Sequence, residues 1–345
     1  MIKPRTFIGW SLLFTVVAFS VTTYVPEKDF FVDRSEQNLV FLDRLPVPVF
    51  AGLKLQHVQG QPRFDTGLFG NSRSLGVGRR HLSLGKCSYF NFSVPSESLR
   101  HTVSNLERLQ ELGKAPRLAL ISFDNFELQR YNNPISPFIG QRWAAAVKDL
   151  VAGATRDDIG FTDFLRMGWR HLWIEIRRFR MIFGPEAFSA GLTNMFTDEE
   201  GYRRPDASAS GYHPDGSREA PPPASQAAPE GLLKPVSQQI IAGYLRYDLE
   251  RLSRLQKLGT RFIIYETPLE PKSAAALHKQ PSPQAAQTRR AFKQNCSALK
   301  LKCYIAPPRL EDDNGRWNDH SHPPAKILGA YLRGLMRDSQ MACME

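Results

Sequence analysis

A serine near the start of the chain and a histidine near its end are the residues whose types and settings could carry out acyl chemistry. Ser72 stands in Phe64-Asp65-Thr66-Gly67-Leu68-Phe69-Gly70-Asn71-Ser72-Arg73-Ser74, an apolar run that stops abruptly at Gly70. The pattern predicts a short buried strand that throws Ser72 out on a tight turn, with the backbone N–H groups of the next segment close to its hydroxyl. The far segment reads Asp312-Asp313-Asn314-Gly315-Arg316-Trp317-Asn318-Asp319-His320-Ser321-His322-Pro323-Pro324. Asp319 precedes His322 by three residues, just before the last predicted helix. That spacing lets a carboxylate hold one imidazole nitrogen and leaves the other facing outward as a base. A serine hydroxyl is a weak nucleophile until a neighbouring base takes its proton, so the two segments supply complementary parts. Each has a plainer reading. Asn71 and Ser72 are favoured helix caps, and so is Asp319. His322 reads equally as a surface histidine, and Asp312, Asp313, Asp319, His320 and His322 as an irregular metal set.

The elements that must position these residues alternate. Strands are predicted at Phe64–Gly70, Ser88–Ser93, Arg117–Phe123, Arg261–Tyr265 and Lys302–Ile305. Helices are predicted at Glu97–Leu112, Val236–Leu258, Ala285–Leu299 and Ala325–Met336. The Glu97–Leu112 stripe of Leu99, Val103, Leu106, Leu109 and Leu112 has helical spacing, and Gly113 reads as its C-terminal stop. The run Arg117–Phe123 (RLALISF) is almost continuously apolar, as strands buried on both faces are. Strands separated by helices predict a parallel α/β sheet with helices on both faces, and its active residues belong at the carboxyl ends of the strands. An insertion, 136–235, interrupts this order. It contains helical patterns at Pro137–Val151 and Phe161–Phe183. The second is basic and aromatic, so it either packs its Trp169, Leu172, Trp173 and Ile176 stripe inward or lies on a membrane surface. A Pro- and Ala-rich loop, Asp198–Gly231, follows.

With 45 Lys+Arg against 34 Asp+Glu, the chain carries a net charge of +11. The basic residues are scattered and form no nucleic-acid-binding motif, so the balance suits anionic lipid or acidic polysaccharide instead. The run Phe7–Val25 is uncharged and about as long as a bilayer-spanning helix. Lys3 and Arg5 precede it and Glu27, Asp29 and Asp33 follow, which orients the body outward. A cleaved signal peptide is the competing reading. Residues 1–25 are thus expected to be tip and anchor, 26–59 a tether, and 60–338 the α/β domain. Of the four cysteines, Cys296 and Cys303 are close enough to pair in an oxidising compartment, or to remain as two thiols.

With its blocks in this order, the body resembles the SGNH/GDSL hydrolase superfamily over roughly Gly60 to Met336. Phe69-Gly70-Asn71-Ser72-Arg73 is similar to the GSSR-like variant of that superfamily's first block, found in membrane-anchored cell-surface members. Asp319-His320-Ser321-His322 is similar to its last block. Leu118–Asn125, Phe262–Pro268 (FIIYETP) and Gly211-Tyr212-His213-Pro214-Asp215-Gly216 also resemble that branch. The branch includes proteins of lipoteichoic acid D-alanylation and alginate O-acetylation, which work beside a membrane-bound O-acyltransferase. The resemblance implies a three-layer, flavodoxin-like parallel sheet of about five strands, Ser72 as nucleophile, His322 as base and Asp319 as its orienting partner. The Arg73 backbone N–H and Asn125 would be the oxyanion donors. It implies no cofactor and no metal. It further implies an acyl ester or cell-envelope polysaccharide as substrate, and a single-pass protein of the bacterial inner membrane with its body on the periplasmic side. The chain departs from the pattern where the third block reads Ser122-Phe123-Asp124-Asn125 and where the second-block glycine is missing from Asn91-Phe92-Ser93-Val94-Pro95-Ser96. A partner or glycan-binding subunit that keeps the fold without the reaction is the alternative.

Overall fold

The structure, a computed structural model, describes residues 57–94, 99–123, 242–279, 283–305 and 322–339 continuously. It also describes 13–17, 20, 54, 55, 97, 155, 159–162, 164, 165, 169, 189, 192, 213, 215–218 and 317. Five strands form one sheet: β1 (Thr66–Phe69), β2 (Tyr89–Asn91), β3 (Leu118–Phe123), β4 (Arg261–Glu266) and β5 (Lys302–Tyr304). All neighbours pair in parallel, in the order β2-β1-β3-β4-β5. That is the flavodoxin-like order, in which the chain leaves β1 to one side and returns to β3 on the other. The carboxyl ends of β1 and β3 therefore flank the crevice where such sheets hold their ligands.

The alternation of side chains along each strand divides the core into two layers. Phe69, Ala119, Ile121, Phe123, Phe262 and Ile264 face one side, in a cluster that includes residues of α1 (Leu99–Glu111), α2 (Ala242–Lys257) and α4 (Pro283–Ala298). Leu68, Leu118, Leu120, Ile263 and Tyr265 face the other. There they meet Leu328, Leu332, Leu335 and Met336 of α5 (Ala325–Asp338), together with Val77, Leu82 and Leu84. Every residue of β1 and β3 is buried, which is why their sequences read as apolar runs rather than alternating ones. Helix α1 ends at Gly113, whose φ of +68° is open to glycine at little cost. The packed body reaches back beyond Gly60: Val58 is fully buried in the first layer and Lys54 is 2% exposed.

Helices α1 and α2 meet through buried charge as well as leucines. Arg251 bonds Glu107 at 2.7 Å and Asp248 at 3.2 Å, and Arg100 approaches the same aspartate at 3.4 Å. Asp248 is fully buried, and the two guanidinium groups that face it offset the cost of burying a carboxylate.

Helix α3 (Pro271–Lys279) adds to the elements expected from the sequence. Its proline occupies the first helical position, where no N–H is needed, but it follows Pro268 so closely that the segment reads as a turn. Cys296 and Cys303 are joined in a disulfide that ties the end of α4 to β5, and Cys87 is disulfide-bonded too. Of the basic aromatic stretch in the insertion, Trp169 is 67% exposed, so its ring does not pack inward. Among the described residues no helix is long and apolar enough to cross a membrane. Of the run Phe7–Val25, residues 13–17 and 20 are described, and they are helical and exposed. The remainder of that run, and the expected helix Pro137–Val151, lie outside the described residues.

Candidate active site

Ser72 lies on the turn after β1, at the carboxyl edge of the sheet, and the residues around it show why the chain turns there. Gly70 has no room for a side chain: a Cβ would stand 2.5 Å from Ser122 Cβ on β3 and 2.7 Å from Ser74 Oγ. Only glycine lets the end of β1 pass so close to β3. Asn71 then closes the turn on itself. Its Oδ1 accepts the Arg73 N–H at 3.0 Å and its carbonyl accepts the Ser74 N–H at 3.0 Å. Ser74 is buried, with its Oγ 3.3 Å from the Tyr265 hydroxyl. Ser72, held between them, is part-exposed.

Asn91, at the end of β2, grips this turn from the side. Its amide nitrogen donates to the carbonyls of Ser74 at 2.9 Å, Leu75 at 3.2 Å and Val77 at 3.0 Å, and its Oδ1 accepts the Ser93 N–H at 2.9 Å. The Tyr89 hydroxyl adds a bond to the Val77 carbonyl at 2.6 Å, and burial pushes that phenol's pKa well up, so it stays a donor. Asn91 was missed in the sequence. The signal was a lone amide in the aromatic strand Ser88-Tyr89-Phe90-Asn91-Phe92-Ser93, since a polar residue in a buried strand must have partners.

A second clamp comes from the insertion. The Asp215 Oδ2 accepts the Arg79 N–H at 2.7 Å, its carbonyl accepts the Asn91 N–H at 2.7 Å, and the Arg218 N–H bonds the Leu75 carbonyl at 2.8 Å. Gly216, at φ +74°, lies so close to β2 that a Cβ would be 2.5 Å from the Asn91 carbonyl oxygen. Beneath this junction the buried Lys54 ammonium donates to the carbonyls of Asn91 at 2.6 Å, Ser93 at 2.8 Å and Gly216 at 2.9 Å. Burial pulls its pKa down to about 7, against the attraction of Glu97 and Asp215. Three carbonyl acceptors use all three ammonium protons, which favours the charged form. Burial likewise raises the Glu97 carboxyl to about 8.

His322 arrives from the other end of the chain, just before α5. The start of α5 is seated on the segment that follows Ser72. Gly329 packs so tightly on the short turn Arg79–His81 that a Cβ would meet both Cβ and the carbonyl oxygen of His81 at 2.6 Å. The Arg333 guanidinium donates to that same His81 carbonyl. The His81 ring turns back and accepts the Gly78 N–H at 2.9 Å, which fixes the turn itself. Ser72 and His322 are therefore referred to one rigid junction, and the His322 Nε2 lies 2.9 Å from the Ser72 Oγ across a sequence separation of 250. That is hydrogen-bond reach, the distance over which an imidazole can take a serine proton.

The other expected site residues fare differently. The Arg73 N–H, expected to face an oxyanion, is directed at Asn71 Oδ1 within the turn. Asp319, Asn125 and the aspartates of the alternative metal set lie outside the described residues. Among the described residues no group of three or more His, Cys, Asp or Glu side chains could hold a metal ion. No known family model matches the chain, and no curated protein matches it.

Proposed function

We propose that this protein is an extracytoplasmic serine esterase or O-acyltransferase of the SGNH type, anchored in a bacterial inner membrane, that acts on a cell-envelope polysaccharide. The observation that supports it is the 2.9 Å approach of His322 Nε2 to Ser72 Oγ at the carboxyl edge of a parallel sheet. The Ser72 oxygen attacks the acyl carbonyl as its proton passes to Nε2, and the Oγ–C bond forms while the carbonyl becomes an oxyanion. Collapse of that tetrahedral species expels the leaving alcohol, which takes the proton from the imidazolium. Water or a sugar hydroxyl then attacks the acyl-serine and gives its proton to His322; the Oγ–C bond breaks, and the imidazolium returns the proton to the Ser72 oxygen. Asp319 would orient the imidazole, and Asn125 would donate to the oxyanion. The net charge of +11 suits an acidic polymer or the face of an anionic membrane. A membrane-bound O-acyltransferase would supply the acyl group to the transferase form.

A fluorophosphonate probe tests the reading directly. The wild-type chain should be labelled at Ser72, and Ser72→Ala should abolish labelling. Turnover of a small acetyl ester should fall by at least about 10³-fold in Ser72→Ala and His322→Ala. A wild-type chain that is neither labelled nor active, but still binds polysaccharide, would establish the non-catalytic subunit instead.

A further inference from the structure

The insertion carries an apolar face that the body leaves uncovered. Residues 161, 162, 164, 165 and 169 are helical. Phe164 faces inward, packed with Ile159 and with Tyr244 in the first turn of α2. Phe161, Leu165 and Trp169 face outward, exposed by 74%, 53% and 67%. Phe161 and Leu165, four positions apart, are turned only about 40° from one another on the helix, and Trp169 is exposed as they are. A monomer surface rarely groups large apolar side chains in this way without a partner for them.

The chemistry of that partner is written in the same stretch. Between 161 and 180 the sequence carries Arg166, Arg170, Arg177, Arg178 and Arg180 against Asp163 and Glu175. Exposed phenylalanine, leucine and tryptophan within a basic stretch of sequence is the composition of segments that lie in the plane of an anionic lipid surface. The place of the anchor point adds a direction. Helix α2 links β3 to β4, which run parallel, so it runs opposite to them. Its first turn, with Tyr244, belongs to the carboxyl edge of the sheet, the edge that carries Ser72.

We propose that Phe161, Leu165 and Trp169 dock on an anionic bilayer surface and hold the Ser72 edge of the body toward the lipid. The proposal rests on the membrane anchoring put forward under Proposed function. The run Phe7–Val25 would tether the chain, and this face would orient it, so that the hydroxyl meets substrate at the membrane rather than in open solution.

The test uses the full chain reconstituted in vesicles of phosphatidylethanolamine and phosphatidylglycerol, with phosphatidylcholine vesicles for comparison. The described native cysteines are all in disulfides, so a single Leu165→Cys variant can carry an environment-sensitive fluorophore. Leu258→Cys is the control, because Leu258 is 62% exposed just beyond the opposite end of α2. Lipids with a quencher in the shallow acyl region should extinguish emission at 165 in the anionic vesicles, do so less in phosphatidylcholine, and leave 258 unchanged. Adding Phe161→Ser and Trp169→Ser should restore the emission at 165. Protein that floats with the vesicles while the label at 165 stays as bright as that at 258 overturns the proposal and leaves the anchor intact. A label shielded only in native membranes overturns it in favour of a protein partner. Protein that does not float removes the anchor and the proposal together.

Discussion

Replacing Asn91 separates the architecture of the serine turn from its chemistry. Asn91 is fully buried, donates through one NH2 group to three carbonyls and accepts one N–H. Two protons serve three acceptors, so the side chain supplies about three bonds' worth of interaction, each near 1 kcal/mol net. Asn91→Leu keeps the shape and removes all of it, which predicts a loss of about 3 kcal/mol and a fall in Tm of roughly 6–12 °C. Asn91→Asp is closer in shape yet worse, because it turns a carboxylate oxygen toward three carbonyl oxygens. Protonation would relieve that repulsion, so the folded-state pKa of the new carboxyl lies above its unfolded value. Its stability is then greatest at low pH and is lost as pH rises through the folded pKa. The assay is thermal unfolding of the three proteins from pH 4 to 8, together with probe labelling of Ser72 where each is folded. The expected order at neutral pH is wild type, Asn91→Leu, Asn91→Asp, and labelling should slow in both variants because the turn loses its lateral support. An Asn91→Asp protein as stable as Asn91→Leu at neutral pH would refute the reasoning, since it would mean that the three carbonyls are not satisfied through this residue.

Three further outcomes follow from the same geometry. Gly70→Ala forces Ser122 and Ser74 aside, so about 1–3 kcal/mol of stability should be lost, and under the proposed function ester turnover should fall further than stability alone explains; unchanged melting would contradict the close approach. Glu97 has a folded-state pKa raised to about 8 by burial, so its contribution is full below about 4.5 and fades as pH rises to 8. The stability of wild type relative to Glu97→Gln should therefore decline across that window, read by denaturant titration at several pH values, and a flat difference would count against it. Arg251→Met removes a guanidinium that bonds both Asp248 and Glu107 at the α1–α2 interface, and should cost about 3–5 kcal/mol in chemical unfolding; a neutral result would mean that these ion pairs do not hold the two helices together.

What could be read along the chain was what local periodicity reports. Apolar runs of strand length, a helical stripe closed by Gly113, and the alternation of strand and helix patterns identify a parallel α/β body, because a sheet covered on both faces demands such strands. Ser72 and His322 were legible because each sits at a boundary between elements, where a side chain is free of packing duties. The order β2-β1-β3-β4-β5 was not legible, since strands of equal apolarity carry no mark of their neighbours. Nor was the grip of Asn91 on the serine turn, or the hold of Asp215 and Lys54 on Asn91 behind it, for those bonds join residues far apart in the chain and mostly through backbone carbonyls, which every residue type possesses. Sequence alone thus determined which groups could act and what kind of body would bear them. Tertiary structure decided that a hydroxyl and an imidazole separated by 250 positions stand 2.9 Å apart, because only the packing of α5 on the turn that follows β1 brings those two ends to one place.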